Sequence, residues 1–367
     1  MSKKILWFTW KDKKNPLAGG AEIVNEELAK RLVQNGYEVK LIVGGYQDST
    51  PKEIIDGYEI IRVGGRWTVY WQAYQYYKKN LQGWADLVID EINTVPFFAK
   101  FYVKEKNILF IHQLCREIWF HQMFFPLNWT GYIIEPLYLR LLNDKKVITI
   151  SNSTKTELLK YGFKADNIQI ISEGIEIDPV ENLDTITKYP NPTILSLGSI
   201  RAMKRTKDIL QAYNLAKQSI PNLELVIAGD SNDPYGQEFL QEIQKSEYKK
   251  DIQYLGKVSK QKKIELMQQS HIILVTSVKE GWGLIVTEAN SQGTPAIVYD
   301  VDGLRDSVIH NQTGLVCSTN TPANLAQNIA KLFSDQKLYA KLRREGHKLS
   351  QTITFEQSYK DFIKIIN

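Results

Sequence analysis

Glu280 and Glu288 stand with seven residues between them in the segment EGWGLIVTEANSQGTPA, and Gly281 and Gly283 lie beside the first. Glycine has no Cβ, so an anion can approach the backbone closely there. If a helix opens near Gly283, its first N–H groups and its dipole both favour negative charge. A diphosphate suits that position, and Trp282 and Leu284 belong to the same candidate set. Glu288 then falls about one and a half turns into the helix, from where a carboxylate can accept hydrogen bonds from two vicinal hydroxyls, as on a ribose. Glu280, on the loop, can do the same for a sugar. The plain alternative is a tight turn with two solvated glutamates, which a lone Glu-Gly-x-Gly does not exclude.

The elements that must hold this segment read as parallel α/β. In the first half the apolar runs ILWFTW, VKLIVGG, DLVID, ILFIHQ, VITIS and NIQIIS alternate with helical patterns. The first of those helices is expected over Ala21 to Gln34, with Val24, Leu28 and Leu32 on one face and Gly36 at the C-terminal cap. The second half repeats the grammar with TILSLGS, LELVIAGD, IQYLGKV, HIILVTSV and TPAIVYD. Two Rossmann-like domains are therefore expected, residues 1–180 and 190–350, facing each other across a deep cleft. The polar stretch Pro179 to Pro192 reads as their linker. A final segment from Thr354 carries Phe355, Tyr359, Phe362 and Ile366 at helical spacing.

In open parallel sheets ligands bind at the carboxyl ends of strands, so the residues just after strands matter most. Gly19 and Gly20 follow the first strand and can let an acceptor or a phosphate approach the backbone; the pattern is not GxGxxG, which argues against a nicotinamide cofactor. His112 ends the strand ILFIHQ, and a single histidine there is by itself more often structural than catalytic. Arg201 and Lys204, taken alone, are ordinary surface charge.

These segments together resemble the family 4 retaining glycosyltransferases of the GT-B fold, whose signature is Glu-x7-Glu with Gly-aromatic-Gly after the first glutamate. Trp282 holds the aromatic place more often taken by Phe. The resemblance extends to Gly293-Thr294-Pro295, Gly303-Leu304-Arg305, Gly314, Gly198 with Lys204, and Gly19-Gly20-Ala21-Glu22. It implies that Glu280 holds the donor sugar, that Glu288 holds the ribose and that Lys204 neutralises the diphosphate, with Gly198 and Ser199 also on the donor side. It implies a histidine near the reacting sugar at His112, and a final helix that returns to the first domain. An arginine commonly stands where this chain has Ser199, and Arg201 can supply that charge. Glu173-Gly174-Ile175-Glu176 stands where Asn-Gly-Val-Asp is usual. The mechanism the resemblance implies is a same-face displacement in which the departing phosphate helps deprotonate the acceptor, with no covalent nucleophile.

Composition narrows the rest. Two cysteines some two hundred residues apart allow neither a disulfide framework nor a CxxC site, which fits a reducing cytoplasm. The net charge of +5 arises from interspersed residues, 46 basic and 41 acidic, so nucleic acid is not an expected partner. No cofactor or metal is expected: Asp300-Val301-Asp302 looks like the metal-binding DxD of the other large glycosyltransferase fold but sits in a loop before Gly303, and Asp90-Glu91 is read the same way. Expected partners are a nucleotide sugar and a saccharide or lipid-linked acceptor. The aromatic region Ile118 to Leu142 reads first as core helices; its alternative is an interfacial patch giving peripheral contact with the inner face of a membrane. Two other readings of the whole are a nucleotide-sugar epimerase, which would need no acceptor, and a non-catalytic nucleotide-sugar-binding protein, which would show no turnover.

Overall fold

The structure, a computed structural model, describes residues 3–367 and divides the chain into two compact units. One is the chain up to Gly174 together with Phe355–Asn367; the other is Ile175–Thr354.

The first unit is built on an eight-stranded sheet of β1 (Lys4–Phe8), β2 (Glu38–Val43), β3 (Lys52–Ile55), β4 (Tyr58–Arg62), β5 (Leu87–Glu91), β6 (Lys106–Ile111), β7 (Val147–Thr149) and β8 (Ile168–Ile170), in the order β3-β4-β2-β1-β5-β6-β7-β8. All neighbours are parallel except β3 and β4. Parallel strands covered on both faces read as continuous apolar runs, and β1 shows why. Leu6 and Phe8 pack toward Tyr77 and Phe97 on one face, while Trp7 stacks on Phe362 at 5.9 Å, with Phe110 at 5.6 Å. Phe362 belongs to the helix Phe355–Ile366, which packs on the helix Gly20–Gln34. Phe355, Phe362 and Ile366 are buried. The first helix closes at Gly36, whose φ of +85° suits glycine and whose N–H reaches the Val33 carbonyl at 2.9 Å.

The second unit has six parallel strands, β9 (Thr193–Leu197), β10 (Glu224–Ala228), β11 (Ile252–Tyr254), β12 (Ile272–Val275), β13 (Ala296–Val298) and β14 (Gly314–Val316), ordered β11-β10-β9-β12-β13-β14.

Four structural findings differ from the sequence reading. The hairpin β3–β4 was not expected, although Asp56-Gly57 at φ +47° and +89° marks its turn; β14 was not expected either. The stretch 179–192, read as a linker, is packed into the second unit. Val180 N–H donates to the Ser291 carbonyl at 3.0 Å, and Lys188 Nζ donates to the carbonyls of Ser270 and Gly293 and to Thr294 Oγ1 at 2.7 to 2.9 Å. Burial, reinforced by Arg343, holds the Lys188 ammonium well below the usual lysine range. Lastly, Ile118 to Leu142 is not all core: Phe124, Phe125, Trp129, Ile133 and Leu137 are exposed.

Candidate active site

In the second unit the helix Leu284–Ser291 starts at Gly283, whose φ is +92° and which caps it with no side-chain hydrogen bond. Glycine offers no side chain to cap the first amides of this helix, which leaves their side of the N-terminus open to an anion. A Cβ at Gly283 would lie 2.7 Å from Leu304 Cδ2, and one at Gly303 would lie 2.3 Å from the Glu280 carbonyl oxygen. The loop 280–283 is thus pressed against the start of the helix Leu304–Ser307, and the Glu280 N–H donates to the Asp302 carbonyl at 3.0 Å.

Glu280 Oε1 accepts from Lys204 Nζ in a short ion pair and from Ser277 Oγ at 2.6 Å. Lys204 is fixed from behind, because Thr276 Oγ1 donates to its carbonyl at 2.8 Å and Val278 N–H to that of Met203 at 2.8 Å. The loop after β12 that delivers Glu280 therefore also anchors Lys204, across 76 residues of sequence. Glu288, 8% exposed, accepts from Lys263 Nζ at 2.6 Å. Burial raises its carboxyl above the usual range, opposed by that ammonium. Trp282 Nε1 donates to Thr287 Oγ1 at 2.9 Å, tying the aromatic to the helix.

Gly198, at φ +122°, and Ser199 are exposed at the end of β9. A Cβ on Gly229 would meet the Gly198 carbonyl oxygen at 1.9 Å, so the missing side chain at Gly229 lets these loops touch. Arg201 is exposed at the head of the short turn Ala202–Lys204.

In the first unit Gly19 is the N-cap of the helix Gly20–Gln34, and its N–H donates to Glu22 Oε2 at 2.6 Å. His112, which follows β6, is buried and stacks on Phe110 at 4.5 Å. Its Nε2 lies 3.2 Å from Asn25 Oδ1 and 4.0 Å from Glu91 Oε1; its Nδ1 lies 3.5 Å from Glu173 Oε1, long for a hydrogen bond. Glu91 Oε2 accepts from Asn25 Nδ2 at 2.5 Å and Trp7 Nε1 at 3.2 Å. Burial pulls the imidazole toward neutrality, but Glu173 and Glu91 outweigh it and raise its pKa.

Among the sequence candidates, Lys204, Glu280, Gly281, Trp282, Gly283, Leu284 and Glu288 gather on one loop–helix junction and its neighbouring turn. Gly19, Gly20 and His112 belong to the other unit. Sequence reasoning missed Lys263, Ser277 and the set Asn25, Glu91 and Glu173 around His112. A carboxylate closing the apolar run DLVIDE was the available signal for Glu91; Lys263, one lysine among KQKK, offered none. Asp300 and Asp302 are engaged by cations: Arg305 Nε donates to Asp300 Oδ1 at 2.7 Å, Arg305 also pairs with Asp302, and Lys279 Nζ lies 3.3 Å from Asp302 Oδ2.

Residues 18–179 match the family model described as Glycosyltransferase Family 4, and residues 184–349 match that of Glycosyl transferases group 1. An uncharacterized glycosyltransferase of Haemophilus influenzae is 23% identical over 360 residues, spanning 95% of this chain and 96% of its own. Sucrose-phosphate synthase from Thermosynechococcus elongatus has a similar structure, with a TM-score of 0.78 at 17% identity, covering 99% of this chain and 98% of that one. Anabaena HepE in complex with UDP and glucose gives 0.72 at 16% identity, covering 99% of each chain. At such identities these structures bear on the fold alone, and that fold is GT-B. The two family models lie end to end along the two halves whose strand ends carry the residues described above, and the chain belongs to the family 4 glycosyltransferases of the GT-B fold.

Proposed function

We propose that this glycosyltransferase moves a hexose from a nucleoside diphosphate sugar to an acceptor hydroxyl with retention at the anomeric carbon, in the assembly of a glycan, polysaccharide or glycolipid. The observation that carries the reading is the Lys204–Glu280 pair beside the glycine-capped N-terminus of Leu284–Ser291, with Glu288 buried farther along the same helix. The amides of Gly281, Gly283 and Leu284, with Lys204, Arg201 and the exposed backbone at Gly198 and Ser199, receive the diphosphate. Glu288 takes the ribose hydroxyls and Glu280 the sugar. As the bond from C1 to the phosphate oxygen breaks, the acceptor oxygen bonds C1 from the same face and its proton passes to the departing phosphate. Lys204 and the helix amides stabilise the charge that develops there. His112 is a further catalytic candidate and Gly19-Gly20 an acceptor or phosphate loop. The complex of Anabaena HepE with UDP and glucose supports a nucleoside diphosphate donor.

The test compares Glu288→Ala with Glu280→Ala by calorimetric titration of UDP, GDP and ADP. Losing hydrogen bonds to a charged group costs about 1.5–3 kcal/mol, so Glu288→Ala should weaken nucleotide binding by roughly 10- to 150-fold. Glu280→Ala frees Lys204 and should leave nucleotide affinity equal or higher while turnover collapses. An unchanged affinity in Glu288→Ala would remove that residue from the ribose. Turnover is also expected to persist in excess EDTA, because helix amides and Lys204 supply the positive charge; loss on chelation, restored by manganese, would show a metal at work.

A further inference from the structure

We propose that the helix Leu127–Leu142 and the aromatic turn before it form a docking surface for an anionic phospholipid bilayer, lying among the headgroups without crossing. The helix is amphipathic in the inverted sense. Glu135, Tyr138, Leu139 and Leu142 are buried, whereas Leu127, Ile133, Ile134, Leu137 and Leu141 face solvent. At about 100° per residue these exposed side chains fall within roughly a third of the circumference, opposite the buried ones. Ile133 keeps 59% of its surface and Leu137 57%; Phe124 and Phe125, on the turn, keep 73% and 75%. Scattered exposed apolar residues are ordinary, but a helix-long stripe continued by aromatic rings marks an interaction surface.

Charge selects the occupant. Within 118–142 the acidic residue is Glu135, and it is turned inward. Its carboxylate accepts the N–H groups of Cys115 and Arg116 at 2.7 Å each and the Trp119 indole N–H at 3.0 Å. The solvent side of this segment therefore presents no carboxylate. Arg140 is exposed at the edge of the stripe, and Lys145 and Lys146 follow the helix. Lys100 Nζ binds the Leu141 carbonyl and Asp144 Oδ1 at 2.6 Å each, and lies 5.6 Å from the exposed ring of Phe101, extending the same end. The exposed carboxylates at the rim of the stripe are Glu117 before the segment and Asp144 after it, the latter paired with Lys100, and Arg140, Lys145 and Lys146 leave the balance positive. An apolar stripe with rings at one end and cations at the other suits anionic headgroups over an acyl boundary. With 16 residues the helix reaches about 24 Å, short of a hydrocarbon core of about 30 Å. No helix among the described residues is long and apolar enough to cross a membrane.

The experiment is co-sedimentation of the purified chain with vesicles of phosphatidylcholine alone, or of phosphatidylcholine and phosphatidylglycerol in equal parts. Binding to the anionic vesicles is expected. Ile133→Gln with Leu137→Gln should lower the partition coefficient by roughly tenfold or more, and Arg140→Glu should lower it on anionic vesicles only. Circular dichroism checks that the variants fold; should the double variant fail, Phe124→Ser with Phe125→Ser asks the same question on the turn. Three results overturn the proposal: no binding to either vesicle, partition of the folded variants equal to wild type, or a wild-type dimer that ignores vesicles and becomes monomeric in the double variant. The last would assign the stripe to a second copy. None of these readouts depends on the donor site.

Discussion

The His112 imidazole, 4.0 Å away, is the cation set against the buried Glu91 carboxylate. Burial pushes the carboxyl up to about 7 from an ordinary 4.5, opposed by the imidazole. The folded protein thus keeps a proton that the unfolded chain gives up above 4.5. The stability this contributes is complete below that value and is lost as pH rises to about 7. Asp90 runs the same way, raised by burial from 3.8 to about 6 despite the N–H donors of Ala99 and Phe97. His112 is also raised, so its contribution is lost as pH climbs through its folded value. The melting temperature should fall across this window. Glu91→Gln keeps an oxygen for Trp7 and Asn25, and is expected to flatten the profile and raise the alkaline melting temperature. A slope unchanged in that variant would place the titration elsewhere. This cluster was illegible in sequence because Asn25, Glu91, His112 and Glu173 lie on four separate segments. Glu280 and Glu288 were legible because both sit on one turn and helix, where glycine spacing exposes the chemistry.

Elements were legible where local pattern and tertiary burial agree. The buried parallel strands announce themselves as apolar runs, and the first helix by its period and its terminal glycine. The hairpin β3–β4 is less legible because β3 buries no residue fully and its signal is a two-residue turn. The packed segment 179–192 looked like a linker because backbone and Lys188 hydrogen bonds, which leave no periodicity, hold it. Ile118 to Leu142 was ambiguous for another reason: composition reports how apolar a helix is and not which way it faces. At the donor-side junction, Gly283→Ala would force a side chain into φ +92° with Leu304 Cδ2 at 2.7 Å. A cost of about 1–3 kcal/mol is expected, read as a lower melting transition. A transition at the wild-type temperature would mean that the loop relaxes freely around the added methyl.

At the scale of the whole chain, the helix Phe355–Ile366 is separated in sequence from the unit it completes by all of Ile175–Thr354. It is tied in at both ends: the Gly174 N–H donates to Ser358 Oγ at 3.0 Å, and Lys3 Nζ donates to the Ile366 carbonyl at 2.7 Å. Between those ties Phe362 covers Trp7. Truncation after Thr354 should therefore uncover the first unit's core and leave the second unit's intact. Scanning calorimetry is expected to lose or lower one transition while a nucleotide-responsive transition survives; loss of both together would show that the second unit needs the helix as well. The stripe of this helix was readable from spacing, but spacing carries no address, and its position rests on Gly174 and on residues more than three hundred places earlier, Trp7 and Lys3 among them. That separation has a consequence for synthesis. A domain emerging from the ribosome usually folds as soon as its residues are out, yet here β1 must wait, with Trp7 uncovered, until the entire second unit has been made. The half translated first is the half finished last, so the nascent chain carries exposed apolar surface for most of its elongation, and that interval is when a chaperone has the most to hold.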